Sequence, residues 1–220
     1  MINVAIDGPA GAGKSTVARG AAKELGYIYV DTGALYRAVG LYALRNNIDT
    51  KDVENITKSL KNIVVEIKFI DGVQAVYLNG EDVSEDIRLP EASMAASNVS
   101  AIKSVREFLF DLQQNIAKKN NCIMDGRDIG TVVLPNAQVK IFLTADDEER
   151  AMRRYRELQE KGSSTTFEEV LIDLRQRDYN DSHREIAPLK PAEDSILFNT
   201  TGYSLQESID KVVNIIKENV

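Results

Sequence analysis

The sequence predicts an α/β chain, a parallel sheet covered by helices on both faces and interrupted by a small antiparallel insert. Three observations predict it. A short apolar run, Val4-Ala5-Ile6, leads directly into the glycine-rich string Gly8-Pro9-Ala10-Gly11-Ala12-Gly13-Lys14-Ser15. Apolar runs at 28–30, 122–124, 139–143 and 195–198 are separated by segments with helical composition, the alternation expected of parallel strands joined by crossovers. Between about 63 and 86 that alternation stops, and two strand-like runs flank Asp71-Gly72, with Asn79-Gly80 offering a second hairpin turn. The whole chain, 1–220, reads as a single domain, because 220 residues with 43% hydrophobic content can bury one substantial core.

The first element carries the most chemistry. The string from Gly8 to Ser15 fits G-x-x-x-x-G-K-[ST], and it lies where that pattern has meaning, between a strand and a helix. Glycines allow the chain to turn successive N–H groups inward, where they and the following helix N-terminus meet phosphate oxygens. Lys14 is placed to neutralise the outer phosphates of a nucleoside triphosphate. The Ser15 hydroxyl is placed to hold Mg²⁺, a small hard cation that takes few protein ligands. Residues 16–25, rich in Ala, Lys and Glu, predict the helix, and Gly26 stands where a left-handed terminal glycine belongs.

After the second strand comes Asp31-Thr32-Gly33-Ala34-Leu35-Tyr36-Arg37, which enters a helix and places Arg37 one turn inside it, ready for a second phosphate. The antiparallel insert does not extend a parallel sheet, so substrate recognition is inferred for it, with a merely decorative insertion as the alternative. Residues 100–119 space Ile102, Val105, Leu109, Leu112 and Ile116 as one helical face, with Ser100 as the N-cap. The strand at 121–124 ends in Asp125-Gly126-Arg127-Asp128, at the carboxyl end where open α/β sheets bind ligands. Asp125 is favoured as a carboxylate near Mg²⁺. The competing interpretation is a simple Asp-Gly turn in which Arg127 and Asp128 pair with each other at the surface.

Asp146 with Glu149, Thr166 with Glu169, and Ser204 with Glu207 show capping-box spacing and mark three further helix starts. The helix after Asp146 carries Arg150, Arg153, Arg154 and Arg156, then reaches Lys161-Gly162-Ser163-Ser164-Thr165, so 150–165 reads as a mobile lid. The helix beginning near Thr166 carries Arg177, Asp181 and Arg184 at spacings of four and three, predicting one shared face, and must end before Pro188. An arginine-rich helix is most often a solvated face with acidic partners, and Glu148, Glu149, Glu157 and Glu160 are close by. Beside a triphosphate cradle, however, arginines supply what phosphoryl transfer needs, positive charge on the migrating group. The lone His183 is assigned no role.

Composition narrows the classes. With 34 Asp+Glu against 27 Lys+Arg the net charge is −7, which argues against broad binding to nucleic acid or anionic membranes. Any anionic ligand must then meet a local arginine cluster. The single Cys122 lies in an apolar strand and suits a reducing compartment. With no basic and apolar leader and no apolar run of membrane-spanning length, a cytoplasmic location is expected. A monomer is the default expectation.

Five segments, IDGPAGAGKST, DTGALYR, NGEDVSEDIR, MDGRDIGTVVLPNA and RDYNDSHREIAPL, together resemble the bacterial cytidylate kinases, over residues 6–191. The resemblance implies a P-loop kinase fold and transfer of the ATP γ-phosphoryl group, with Mg²⁺, to CMP or dCMP. It implies that 32–98, with the insert at about 63–86, forms the monophosphate-binding region. ATP would lie on Gly8, Pro9, Ala10, Gly11, Ala12, Gly13, Lys14, Ser15 and Thr16. Thr32, Arg37 and Arg127 would contact the acceptor phosphate, Ser97, Arg106 and Asp128 the cytosine, and Arg177 and Asp181 the sugar. Lys14, Arg127, Arg153 and Arg184 would act on the transferring group, and Ser15 and Asp125 would hold the metal. An amine-reading carboxylate such as Asp128 favours cytosine over uracil. The rivals are a small-molecule kinase of the same fold with another acceptor, a GTP-dependent switch, for which no Asn-Lys pair exists in the chain, and a binding module without turnover.

Overall fold

The computed structural model describes every residue except Lys161. In chain order the first half holds β1 (Asn3–Asp7), α1 (Lys14–Leu25), β2 (Ile28–Asp31), α2 (Thr32–Arg45), α3 (Val53–Ser59), β3 (Val65–Ile70), β4 (Val73–Leu78) and β5 (Glu81–Asp82). Then follow α4 (Pro90–Ser100), α5 (Lys103–Lys119), β6 (Cys122–Gly126), a single π-helical turn (Ile129–Val133), β7 (Val139–Thr144), α6 (Asp147–Glu160), α7 (Phe167–His183), β8 (Ile196–Asn199) and α8 (Leu205–Glu218). The chain divides into two compact units, residues 2–27 with 121–220, and residues 28–120 with Met1.

In the first of these units the strands run in the order β6, β1, β7, β8, all parallel. Consecutive residues of β1 and β6 are buried, so both faces of the sheet are covered, as the unbroken apolar runs predict. Register decides where the chemistry sits. Asp7 lies opposite Gly126, so the phosphate-loop string and the Asp-Gly-Arg-Asp turn leave adjacent strands at the same edge of the sheet. The first helix ends as expected, with Gly26 left-handed at φ 69° and its N–H on the Ala22 carbonyl. Two of the three expected capping boxes form, at Thr166–Glu169 and Ser204–Glu207. At Asp146 the helix starts on schedule, but Glu149 turns to Arg153 and to the Gly202 N–H instead of closing a box.

In the unit 28–120, Asp71-Gly72 and Asn79-Gly80 both turn with positive φ, joining β3, β4 and β5 antiparallel as the sequence predicts. The core of this unit gathers Leu35, Val39, Ile56, Val76, Leu78, Val99, Val105 and Leu109. The N-cap differs from expectation at α5. Ile102 occupies that position, and Ser100 is the last residue of α4, its hydroxyl donating to the Ser97 carbonyl at 3.0 Å. Little apolar periodicity advertises α4, because its buried face is Ala92, Ala95 and Val99: a Cβ at Gly40 of α2 would lie 2.7 Å from the Ala95 Cβ, so these helices touch along small residues. Among the described residues no helix is long and apolar enough to cross a membrane.

Candidate functional site

The phosphate loop is a backbone construction. Gly8 has φ 152°, and a Cβ there would sit 1.9 Å from the Leu143 carbonyl oxygen, so the chain passes against β7 only because this residue is glycine. Gly13, left-handed at φ 85°, turns the loop into α1 and leaves the first N–H groups of that helix directed at the loop. Lys14 is 5% exposed, and its Nζ donates to the Pro9 carbonyl at 2.7 Å. Burial, and then the neighbouring Arg127 guanidinium, push its ammonium down to about 7. Such a cation gains most from an arriving anion. The Ser15 hydroxyl donates to Asp125 Oδ2 at 2.7 Å, so the two expected metal-binding oxygens stand side by side.

Most of the expected arginines on the same unit are held by oxygens. Arg127 Nε donates to Asp181 Oδ2 at 2.8 Å, and Arg184 Nη2 to Asp128 Oδ1 at 3.2 Å, the second pair with side chains only 8% and 7% exposed. Arg127 and Asp128 therefore pair away from each other, against the simple-turn interpretation. Arg177 and Asp181 lie on α7 as expected, but Arg184 follows the last helical residue, so the shared helical face stops at Asp181. Arg184 Nε instead clamps the carbonyl of Ala187 at 2.6 Å, a residue with the uncommon φ of 50° just before Pro188. Burial, then Arg127, push the Arg177 guanidinium down. Arg153 pairs with Glu149, donates to the Thr200 carbonyl at 3.2 Å, and lies 3.7 Å from where a Gly13 Cβ would be.

In the segment 150–165, expected as a lid, α6 runs as far as Glu160, Lys161 lies outside the described residues, and Gln159 Nε2 donates to the Ser163 and Thr165 carbonyls at 3.0 Å each. Arg150, the first residue of that segment, is 6% exposed and tied to the phosphate loop. His183 stacks on Tyr179 with ring centroids 4.0 Å apart, a local surface arrangement.

In the unit 28–120, Thr32 opens α2, whose N-cap Asp31 accepts from the Ala34 N–H at 3.0 Å. Arg37 Nη2 meets Asp31 Oδ2 at 2.6 Å, while its Nε is buried without a hydrogen-bond partner, the signature of a donor awaiting an acceptor. Gln74 of β4 brackets the Asp31 peptide, accepting from its N–H at 2.8 Å and donating to its carbonyl at 3.1 Å, so the insert fixes the strand end that carries Thr32 and Arg37. Arg106 is buried, 5.6 Å from the Tyr36 ring, and its Nη1 donates to the Ser100 carbonyl at 3.3 Å. Ser97, half-buried on α4, accepts at its carbonyl from the Ser100 hydroxyl.

Neither Asp7 nor Asp178 was expected from the sequence. The two oxygens of Asp7 accept from the Ile129 N–H at 2.8 Å and the Gly130 N–H at 2.7 Å, so the end of β1 holds the π-helical turn that follows Arg127-Asp128. Burial pushes its carboxyl up to about 6. Its signal in the sequence was the one used for Asp125, a carboxylate closing a buried apolar strand.

A glycine-rich loop opening a helix, a hydroxyl beside a carboxylate and a set of carboxylate-held arginines define a P-loop enzyme of phosphoryl transfer. The sequence model of the family described as cytidylate kinase matches residues 4–218. The chain is 54% identical to the cytidylate kinase of Caldicellulosiruptor bescii, over 97% of this chain and 95% of the relative. It is 50% identical to that of Lactobacillus johnsonii, over 99% and 95%. An uncharacterized protein from Eubacterium ventriosum shares the fold, with a TM-score of 0.54 at 12% identity across 99% of each chain. The chain belongs to the cytidylate kinase family.

Proposed function

We infer that the chain transfers the γ-phosphoryl group of Mg²⁺-ATP to CMP or dCMP. An oxygen of the acceptor phosphate bonds to the γ-phosphorus as the bond from that phosphorus to the β–γ bridging oxygen breaks, giving ADP and CDP or dCDP. Membership in the cytidylate kinase family carries this reading.

The residues fit the parts the reaction needs. The loop from Gly8 to Thr16 receives the triphosphate on backbone N–H groups, and Lys14 approaches its outer phosphates. Ser15 and Asp125 offer one hydroxyl and one carboxylate, an oxygen set suited to a hard cation that keeps most of its shell for phosphate and water. Held by Ser15 and Asp125, Mg²⁺ would supply positive charge to offset what develops on the phosphate oxygens. Arg127, Arg153 and Arg184 exchange their carboxylate and carbonyl partners for phosphoryl oxygens. Arg177 and Asp181 receive the sugar, and Asp128 accepts from the cytosine amine. On the unit 28–120, Thr32 and the unpartnered Nε of Arg37 are assigned to the acceptor phosphate, and Ser97 and Arg106 to the base, by family resemblance.

The test is ADP formation from Mg²⁺-ATP with CMP, dCMP, UMP, AMP, GMP or no acceptor. Turnover confined mainly to CMP and dCMP is expected. Another preferred acceptor would keep the kinase and overturn the base-reading roles, and acceptor-independent hydrolysis would overturn the kinase reading itself.

A further inference from the structure

We propose that Asp178 of α7, backed by Arg150 of α6, is a positioning residue for the phosphate loop. Both backbone polar groups of Ala10 are taken by side chains of these helices. The Ala10 N–H donates to Asp178 Oδ1 at 3.0 Å, and the Ala10 carbonyl accepts from Arg150 Nη1 at 2.8 Å. The same Arg150 Nη1 meets Asp178 Oδ2 at 2.6 Å, and its Nε donates to the Ala145 carbonyl at 2.8 Å, which closes the arrangement. Gly11 is wedged beside it: a Cβ there would lie 3.1 Å from Leu174 Cδ1 and 3.4 Å from Arg150 Cβ.

A carboxylate against a loop built for polyphosphate runs opposite to what electrostatics favours. The arrangement is tolerated because Arg150 neutralises Asp178 within the same contact. A glycine-rich loop cannot select its own conformation, since glycine populates many backbone wells, so its shape has to be imposed from outside. Arg150 stands in the first turn of α6 and Asp178 near the end of α7, both far along the chain from the 161–166 connection. The clamp thus fixes the base of the α6–α7 pair on the loop and leaves the connection outside it.

The inference rests on the assignment of this loop to ATP, and its test is arranged to fail separately from that assignment. ATP affinity is measured by calorimetry with no acceptor present, for the parent, Asp178→Ala and Asp178→Asn, and the KM for CMP is measured alongside. Loss of a hydrogen bond to a charged group predicts a rise of about tenfold in ATP Kd for Asp178→Ala, with a smaller rise for Asp178→Asn, which keeps one acceptor for the Ala10 N–H. The KM for CMP is expected to stay at the parent value, a split that a general loss of structure does not produce. Unchanged ATP affinity in Asp178→Ala, or in Asp178→Asn where the alanine variant does not fold, overturns the proposal. A proportional loss of ATP and CMP affinity does the same. A parent that binds ATP but does not turn over CMP overturns the acceptor assignment alone.

Discussion

The phosphate loop and the arginines proposed to meet phosphate are built differently. The loop offers backbone N–H groups fixed by left-handed glycines, and its cation, Lys14, is buried on a carbonyl and pushed down to about 7. The arginines Arg37, Arg127 and Arg184 each rest on a carboxylate, that of Asp31, Asp181 or Asp128. An anion entering the loop adds charge where charge is missing. An anion reaching the arginines must replace a carboxylate, so its binding is an exchange whose net gain is smaller than the contact energy. The difference explains how an acidic chain keeps arginines available on each unit without an excess of bare positive charge. Each is neutralised while empty, and each is already ordered when substrate arrives.

Removing an arginine from this exchange should have the largest effect. Arg127→Ala deletes a charge proposed to act on the transferring group and also leaves Asp181 partly buried without its cation. A fall in kcat of about 10³-fold is expected, within the range for transition-state arginines, with ATP binding largely retained. If kcat barely moves while the KM for CMP rises, Arg127 acts in binding alone, and the comparison narrows to Arg153 and Arg184.

Lys14→Ala tests the other side. It removes the loop's cation but none of its N–H groups, so turnover should drop by about 10²-fold, the usual scale for one donor on developing charge. The drop should be the same for every acceptor, because the lesion is on the donor side. An acceptor-dependent loss in steady-state assays would contradict that division. A smaller, selective effect is expected for Asp128→Ala: the ratio of CMP to UMP turnover should shrink by about tenfold, the value of one charge-assisted hydrogen bond. An unchanged ratio would take Asp128 out of base reading and leave it as the partner of Arg184.

The same division governs what the sequence made legible. Features set by a few neighbouring residues were found: the loop, the left-handed Gly26, both Asp-Gly and Asn-Gly hairpins, and the capping boxes at Thr166 and Ser204. The side-by-side placement of Ser15 and Asp125 followed from reading carboxylates at strand ends. Features set by packing were missed. α4 packs small residues against Gly40, so it leaves little of an apolar stripe to read, and its end at Ser100 was mistaken for the start of the next helix. Partner choice among the charges was equally invisible. Arg127 and Asp128 are chain neighbours, yet each pairs with a residue more than fifty positions away, because helix α7 brings Asp181 and the segment just after it brings Arg184.

Asp7 offers the finest probe, because it links the two regions: it closes the strand that feeds the loop and holds the turn that follows Arg127-Asp128. Burial raises its carboxyl from 3.8 to about 6 in the folded chain. Between those values the native state keeps a proton that the unfolded state has lost, so this group's contribution to stability falls as pH rises through that window and stays constant above it. At about 1.4 kcal/mol per pKa unit, the change is on the order of 3 kcal/mol. Asp7→Asn abolishes the titration, keeps one acceptor, and turns an amide N–H toward the second backbone donor. Urea unfolding at about pH 4 and about pH 7 should therefore show the parent losing stability relative to the variant as pH rises. A pH-independent difference would mean that Asp7 is ionised throughout, held charged by the Ile129 and Gly130 N–H groups more firmly than burial opposes it.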